Sequence, residues 1–187
     1  MKFVIVIDAQ NDFITGPLGT PEAVEIYERM KIALPNLCDN NTRVIFTRDT
    51  HYLETYDLSE EGQRLPIPHC IKDSTGWEIA PSLTEITHKW NYYVIAGEPC
   101  IVNKTTFGST ALPNYIEYKS TDRGDSVEEI IIVGFCTDIC VINNAMILKA
   151  HFPEAKIKVV ESLCAGTTPE NHQKALDIMK QCHIDIV

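Results

Sequence analysis

The sequence lacks any apolar segment that approaches the length of a membrane span, so a membrane-embedded protein is not expected. Positive charge is scarce: 16 Lys and Arg residues stand against 26 Asp and Glu residues, for a formal net charge of −10 at pH 7. With no basic run to hold phosphates or an anionic surface, nucleic acids and membranes are excluded as predicted partners. The N-terminal residues enter a strand pattern without a signal-peptide cleavage region, which predicts a cytoplasmic protein.

Repeats, low-complexity runs and linker-like stretches are also missing, and the sequence predicts a single domain over residues 1–187. The seven cysteines are an odd number at scattered positions, which indicates free thiols, most of them buried, rather than a disulfide framework. The pair Cys136 and Cys140 has no second pair that would complete a structural zinc site. A composition of 44% hydrophobic and 22% charged residues is typical of a soluble globular protein.

Strand and helix patterns alternate along the chain, which is the arrangement of an α/β protein. This alternation predicts a mostly parallel sheet of about six strands, covered by helices on both faces. Apolar runs rich in β-branched residues predict strands at Phe3–Ile7, Thr42–Thr47, Tyr92–Ile95, Ile130–Val133, Ile157–Val160 and, at one edge, Ile184–Val187. Apolar residues at helical spacing predict helices at Pro21–Leu34, Ile79–Ile86, Pro113–Tyr118, from Cys140 to Leu148, and at Pro169–Cys182.

Two stretches follow neither pattern. Tyr52–Gly76 has no steady period and contains glycine and two prolines, so it is interpreted as a long functional loop, since structureless loops of that length are otherwise uncommon. Ile101–Lys104 is interpreted as a brief extended piece.

Cys140 is predicted to lie in the first turn of a helix, just past the carboxyl end of a central strand. Ligands in open α/β sheets bind in that region. The N–H groups of a first helical turn favour negative charge, so we expect the pKa of the Cys140 thiol to be lowered and the sulfur to be held as an anion. The alternative is a buried structural cysteine.

Asp8 and Asp49 each lie at the end of a predicted strand, as Cys140 follows another. Because such ends converge on one rim of the sheet, an aspartate beside the cysteine can serve as a general base for its proton. Lys104 is a candidate cation that would hold the base ionised. The alternatives are aspartates that cap loops and a lysine on the surface.

Three segments resemble the cysteine hydrolases of the isochorismatase-like superfamily, and nicotinamidases most of all. The segments are residues 5–13 (IVIDAQNDF), 103–108 (NKTTFG) and 133–141 (VGFCTDICV). The resemblance implies an isochorismatase-like, Rossmann-like α/β/α fold and a catalytic triad of Asp8, Lys104 and Cys140. It further implies an oxyanion hole made by the backbone N–H groups of Cys136 and Cys140, with a cis peptide bond between Phe135 and Cys136.

A metal site is a further expectation. Asp49 and His51 project to the same side of an extended segment, because side chains alternate along it, and His69 is a third candidate ligand. Asp-x-His followed by Pro-x-Pro-His-Cys resembles the nicotinamidase metal site, which implies a divalent ion: zinc first, with manganese or iron as alternatives. For the fourth ligand, Glu61 is preferred and Glu54 is second. The alternative is a pair of loop histidines with no metal.

The substrate pocket is expected to differ from that of most nicotinamidases. The resemblance implies aromatic side chains on both faces of the substrate ring, and Phe13 matches one of them. Where the second aromatic is usual, this chain has Leu65 and Pro66. Phe107 is a candidate replacement wall, with a place in the core as its alternative.

The resulting hypothesis is an amidohydrolase that converts nicotinamide or a similar small amide to the acid and ammonia through a thioester on Cys140. The alternatives are a related carbamoyl or small-amide hydrolase with a structural metal or none, and a non-catalytic binding or thiol-redox protein on the same fold. The resemblance also implies a homo-oligomer, a dimer or a tetramer.

Overall fold

A six-stranded sheet with all its pairings parallel forms the centre of the molecule, as seen in a computed structural model that describes residues 1–87, 100–121 and 124–187. The strand order is β3-β2-β1-β4-β5-β6. The most apolar strands therefore lie in the middle of the sheet, where both faces are covered. The strands are β1 (Lys2–Ile7), β2 (Thr42–Asp49), β3 (Ile101–Lys104), β4 (Glu129–Phe135), β5 (Lys156–Ala165) and β6 (Asp185–Ile186).

Helices cover both faces of this sheet. They are α1 (Asn11–Ile14), α2 (Pro21–Leu37), α3 (Leu53–Tyr56), α4 (Glu60–Arg64), α5 (Pro81–Thr87), α6 (Ala111–Thr121), α7 (Ile142–His151) and α8 (Pro169–Gln181). Side chains of α6, α7 and α8 pack with Phe3, Ile5 and Ile7 in one core. Side chains of α1, α2 and α5 pack with Val4 and Val6 in a second core on the other face. The predicted three-layer α/β/α fold is confirmed.

Local signals account for the main helix boundaries. The Thr20 side chain accepts a hydrogen bond from the Ala23 N–H at the start of α2, and Thr168 accepts one from the Asn171 N–H at the start of α8. A proline occupies the first turn of each of these helices. Among the helices of the described residues, none is long and apolar enough to cross a membrane.

The structure corrects two sequence interpretations. Ile101–Lys104 is a true strand, β3, at the edge beside β2. The Tyr52–Gly76 stretch contains α3 and α4 instead of a continuous irregular loop. Periodicity missed these helices because each is about one turn long and depends on local bonds, such as that from the Gly62 N–H to the Ser59 hydroxyl. The strand predicted at Tyr92–Ile95 lies outside the described residues.

Gly134 lets β4 approach β1 just before the loop that carries Cys140. Its φ of 130° belongs to the region that favours glycine, and a Cβ there would lie 2.1 Å from the Ile7 carbonyl oxygen. We expect Gly134→Ala to lower the free energy of unfolding by about 3 kcal/mol or more, measured by urea titration. Gly124→Ala is the control, since Gly124 has a φ of 71° with open space around it, and should cost only about 1 kcal/mol. Equal losses in the two variants would contradict the steric explanation.

Candidate active site

Four adjacent strands deliver polar side chains to one rim of the sheet. Asp8 follows β1, Asp49 ends β2, Lys104 ends β3, and Cys140 lies five residues after β4 ends. Because β3, β2, β1 and β4 are parallel neighbours, their carboxyl ends lie side by side. All four side chains are buried, with exposures of 0 to 4%.

Lys104 lies between two carboxylates and a sulfur. Its Nζ is 2.7 Å from Asp8 Oδ2, 3.4 Å from Asp49 Oδ1 and 3.5 Å from Cys140 Sγ. The side-chain tips of Asp8, Lys104 and Cys140 are thus brought together from three separate parts of the sequence. Lys104 is a buried cation and not the surface lysine of the alternative interpretation.

Each oxygen of the Asp8 carboxylate has a partner. The Thr47 hydroxyl donates to Asp8 Oδ1 at 2.7 Å and accepts from the Asp8 N–H at 3.1 Å. Asp8 Oδ2 is buried and forms an ion pair with Lys104 Nζ at 2.7 Å, and, besides burial, a hydrogen bond between Asp8 and the Cys140 thiol is among the causes that raise the pKa of that thiol. Asp8 also has a φ of 46°, a left-handed conformation that Asp tolerates but rarely adopts. The carboxylate is therefore fixed in place beside the sulfur, where it can receive the thiol proton.

The charges at this rim oppose a resting thiolate. Burial raises the pKa of the Cys140 thiol well above its ordinary value, and the Asp8 charge raises it further. Burial also raises the pKa of Asp8. Burial alone would lower the pKa of Lys104, but the negative charges around it raise that pKa well above its ordinary value. With one ammonium between two carboxylates, a third negative charge is disfavoured. The expected low thiol pKa is wrong, because burial and Asp8 outweigh the helix terminus.

The turn that carries Cys140 differs from the predicted helix start. Residues Thr137–Val141 form a π-helical turn, and the α-helix begins at Ile142. The Cys136 carbonyl accepts from the N–H groups of Ile139 and Val141 at 3.1 and 3.0 Å. The peptide bond between Phe135 and Cys136 is cis, as the sequence resemblance implied. The Cys136 and Cys140 backbones therefore flank one tight turn.

A second cluster lies beside the first and contains Asp49, His51, Glu61 and His69. One ligand atom from each lies within 4.8 Å of all the others. Asp49 Oδ2 is 2.9 Å from His51 Nε2 and 3.6 Å from His69 Nε2, and Glu61 Oε1 is 3.7 and 3.6 Å from the same nitrogens. Glu54, the second candidate for the fourth ligand, is exposed and not part of the cluster. The structure thus brings together the four residues that the sequence singled out first.

This cluster fits a divalent ion. Ligand atoms that bind one ion at ~2.1 Å lie ~3 to 3.5 Å from one another, close to the separations found here. Two carboxylates would neutralise the ion, and a set of imidazole and carboxylate ligands suits zinc, manganese or iron. His69 Nδ1 is 2.9 Å from the Ile67 carbonyl, which places its proton there and leaves Nε2 with a lone pair. The Tyr56 hydroxyl, which donates to the Leu65 carbonyl at 2.8 Å, supports the same ring.

Gln10 is a site residue that sequence reasoning missed. Its side-chain oxygen accepts from the Asp49 N–H at 2.7 Å, and its amide group donates to the carbonyls of Asp49 and Trp77 at 2.9 Å. Gln10 is fully buried, so these bonds satisfy the amide and fix the Asp49 backbone. The only sequence signal was its place in the 5–13 segment, two residues after Asp8.

Both clusters open on one cavity of about 450 Å³. Its wall includes Cys140 from the first cluster and Asp49, Glu61 and His69 from the second. Phe13 is buried and its ring meets that of His69 edge-on at 5.7 Å. Phe107 lines the cavity with 43% of its surface exposed, so it is not a core residue. Leu65 lies in the wall as well, and the cavity is mostly apolar.

The remaining histidines of the described part of the chain, and Trp77, belong to neither cluster. His172 is half-buried with its Nδ1 2.8 Å from the Thr137 hydroxyl, and His151 and His183 are exposed. Trp77 packs under the Arg48 guanidinium and donates to Thr50. None of the seven cysteines, all within the described residues, forms a disulfide. His88 and Trp90 lie outside the described residues.

The chain is similar to known proteins along its whole length. The model of the isochorismatase domain matches residues 2–187. The nicotinamidase/pyrazinamidase of Mycobacterium tuberculosis is 25% identical over 196 residues, covering 100% of this chain and 98% of that protein. A crystal structure of nicotinamidase/pyrazinamidase from Bacillus subtilis has a TM-score of 0.76 at 26% identity, covering 100% of this chain and 98% of that one. In fold, the chain also resembles the pyrazinamidase of Pyrococcus horikoshii in complex with zinc (TM-score 0.74, 22% identity, coverage 100% and 98%).

Proposed function

Because this chain belongs to the isochorismatase family, we propose that it is a cysteine amidohydrolase of the nicotinamidase type. Its reaction would convert nicotinamide or a similar small amide to the acid and ammonia. The observation that carries the proposal is the single cavity shared by the sulfur of Cys140 and the cluster around His69. The relatives named nicotinamidase/pyrazinamidase support the same substrate class.

Cys140 and Asp8 carry the bond-breaking steps in this proposal. As Cys140 Sγ attacks the amide carbonyl carbon, its proton passes to the Asp8 carboxylate, to which the thiol is hydrogen-bonded. This transfer leaves the total charge of the buried cluster unchanged, which matters because the pKa of Cys140 is raised. Asp8 then gives the proton to the departing amine, and ammonia leaves behind a thioester. Asp8 next activates the water that hydrolyses the thioester.

Lys104 and the turn after β4 stabilise charge in these steps. The ammonium is 3.5 Å from the sulfur and 2.7 Å from Asp8 Oδ2, so it offsets negative charge on whichever group holds it. The backbone N–H groups of Cys136 and Cys140 are assigned to the oxyanion of the tetrahedral intermediate. Preorganised donors of this kind contribute about 3 kcal/mol each to lowering the barrier.

The proposed ligands of a divalent ion, with zinc preferred, are Asp49, His51, Glu61 and His69. A bound ion would supply a Lewis acid for the ring nitrogen of the substrate. Asp49 also contacts Lys104 through its other oxygen, so the two clusters are joined by one carboxylate. Phe13, in the cavity wall, would contact and orient the substrate ring.

Ammonia release tests this function most simply. Purified protein is expected to release ammonia from nicotinamide and pyrazinamide, to lose that activity after dialysis against a chelator, and to regain it with Zn²⁺. Release from N-carbamoyl compounds but not from nicotinamide would favour the related hydrolase. Release from no amide, with the metal bound, would contradict the proposal.

The choice of the fourth ligand yields a separate prediction. We expect Glu61→Gln to lower the metal content of the purified protein, and its affinity for zinc by about 10- to 100-fold, because a ligand carboxylate is lost. Glu54→Gln is the matched control: it removes the same charge from an exposed residue of the same segment. Metal content is measured by elemental analysis and affinity by competition with a chelating dye. Equal zinc affinity in the two variants would exclude Glu61 as a ligand.

A further inference from the structure

Asn144 joins two segments of the site, although no step above uses it. This α7 residue is fully buried, and its side-chain oxygen accepts from the Ser109 N–H at 2.9 Å. Its amide group donates to the Phe107 carbonyl at 3.1 Å and to the Cys140 carbonyl at 2.7 Å. One orientation of the amide satisfies all three partners, so the side chain is fixed. It bonds the loop after Lys104 to the turn that carries the sulfur.

The same loop also packs tightly against α7. A Cβ at Gly108 would lie 2.6 Å from Ile147 Cδ1 and 3.2 Å from Asn143 Cβ. Gly108 therefore lets the loop backbone approach the helix more closely than another residue would allow. The Thr106 hydroxyl also donates to the Gly108 carbonyl at 2.7 Å. The Thr106 bond lies within the loop, so the contacts that dock the loop on α7 are the close packing at Gly108 and the Asn144 bonds on both sides of it.

Phe107 depends on this docking. It lines the cavity, yet 43% of its surface is exposed, so side-chain packing alone does not fix its position. Its backbone carbonyl, in contrast, is bonded to Asn144. The position of this wall is therefore set from α7 through main-chain bonds.

We propose that Asn144 is a positioning residue that holds Phe107 as one wall of the substrate cavity and so sets how tightly the substrate ring is bound. The inference rests on the proposed amidase function. It assigns to the Phe107 wall a role in binding and not in the chemical step. Substrate affinity and turnover should therefore respond differently when the loop is released.

Asn144→Thr tests the proposal. A threonine hydroxyl can still donate to the carbonyl four residues earlier, that of Cys140, but it is too short to bond Ser109 and Phe107 as well. With nicotinamide, we expect KM to rise about tenfold while kcat stays within about threefold of the unsubstituted protein. Asn143→Thr is the matched control, since the Asn143 side chain is exposed and, within the described residues, its hydrogen bond goes to the Ile139 carbonyl in the preceding turn and not to the loop. It should leave both constants within about twofold.

A double-mutant cycle separates positioning from a general structural effect. Phe107→Ala alone is also expected to raise KM about tenfold, and adding Asn144→Thr to it should raise KM by less than about twofold more, because the wall is already absent. The proposal is overturned if the KM increases of the two single variants multiply in the double variant. It is also overturned if Asn144→Thr lowers kcat and leaves KM unchanged.

Failure of the proposed function is distinguishable from failure of this inference. Should the unsubstituted protein release no ammonia from nicotinamide, the function is wrong, and hydrogen exchange still tests the docking. The Ser109 amide is expected to exchange about tenfold faster in Asn144→Thr than in Asn143→Thr. Equal exchange in the two variants would overturn the role of Asn144.

Discussion

Cys140→Ala is expected to lower kcat for nicotinamide by about 10,000-fold or more, because it removes the sulfur that lies 3.5 Å from Lys104 Nζ and forms the thioester in the proposed mechanism. The fold should persist, since the sulfur is small and α7 begins after it. Alkylation of Cys140 by iodoacetamide should abolish turnover in the same way. Initial rates of ammonia release with protein verified by circular dichroism provide the measurement.

Cys136→Ala is the matched control for this prediction. The Cys136 side chain also lines the cavity, but only its backbone N–H has a role in the proposed mechanism. Alanine keeps that N–H, so kcat is expected to fall by less than about tenfold. If kcat falls as far in Cys136→Ala as in Cys140→Ala, the assignment of Cys140 as the nucleophile is contradicted.

Asp8→Asn is expected to lower kcat by about 1,000-fold while the protein stays folded. Asparagine has the shape of aspartate but cannot accept the thiol proton, and burial, the largest cause of the raised pKa of Cys140, persists in the variant and still disfavours the thiolate. The fold should survive because Lys104 keeps Asp49 as a partner at 3.4 Å. Single-turnover kinetics, with thermal unfolding as the check on folding, measure the effect.

Asp138→Asn provides the comparison for Asp8→Asn. Asp138 is close to Cys140 in sequence, but its carboxylate accepts bonds from the N–H and hydroxyl of Thr167. Its loss should reduce kcat by no more than about tenfold. If Asp8→Asn retains most of the rate of the unsubstituted protein, a group other than Asp8 takes the proton of the Cys140 thiol.

Much of the site was predictable because parallel strands fix where their ends lie. Asp8, Asp49 and Cys140 each follow an apolar run, and neighbouring strands of one sheet then bring these residues to the same rim. The pairing of Asp49 with His51 was predictable for a similar reason, since alternate residues of an extended chain face the same way. The neighbouring position of His69 depends on the bridge between His51 and Ile71, which no local pattern reveals.

Other properties depend on contacts between distant residues. The position of Cys140 at a helix start suggested a low thiol pKa, whereas the raised pKa follows from burial and from Asp8, 132 residues earlier in the chain. Gln10 and Asn144 are each a single amide in an otherwise ordinary segment, and their partners are fixed only by the tertiary fold. The predicted homo-oligomer stays a prediction.

Capture of the acyl group on Cys140 is the most direct test of the account. Protein turning over saturating nicotinamide is quenched in acid and digested, and a parallel sample receives hydroxylamine during turnover. We expect a nicotinoyl group on the peptide that contains Cys140, and nicotinoyl hydroxamate that increases with hydroxylamine at the expense of the acid. Full turnover with neither the adduct nor the hydroxamate, or with the acyl group on another residue, would contradict a mechanism based on the Cys140 thioester.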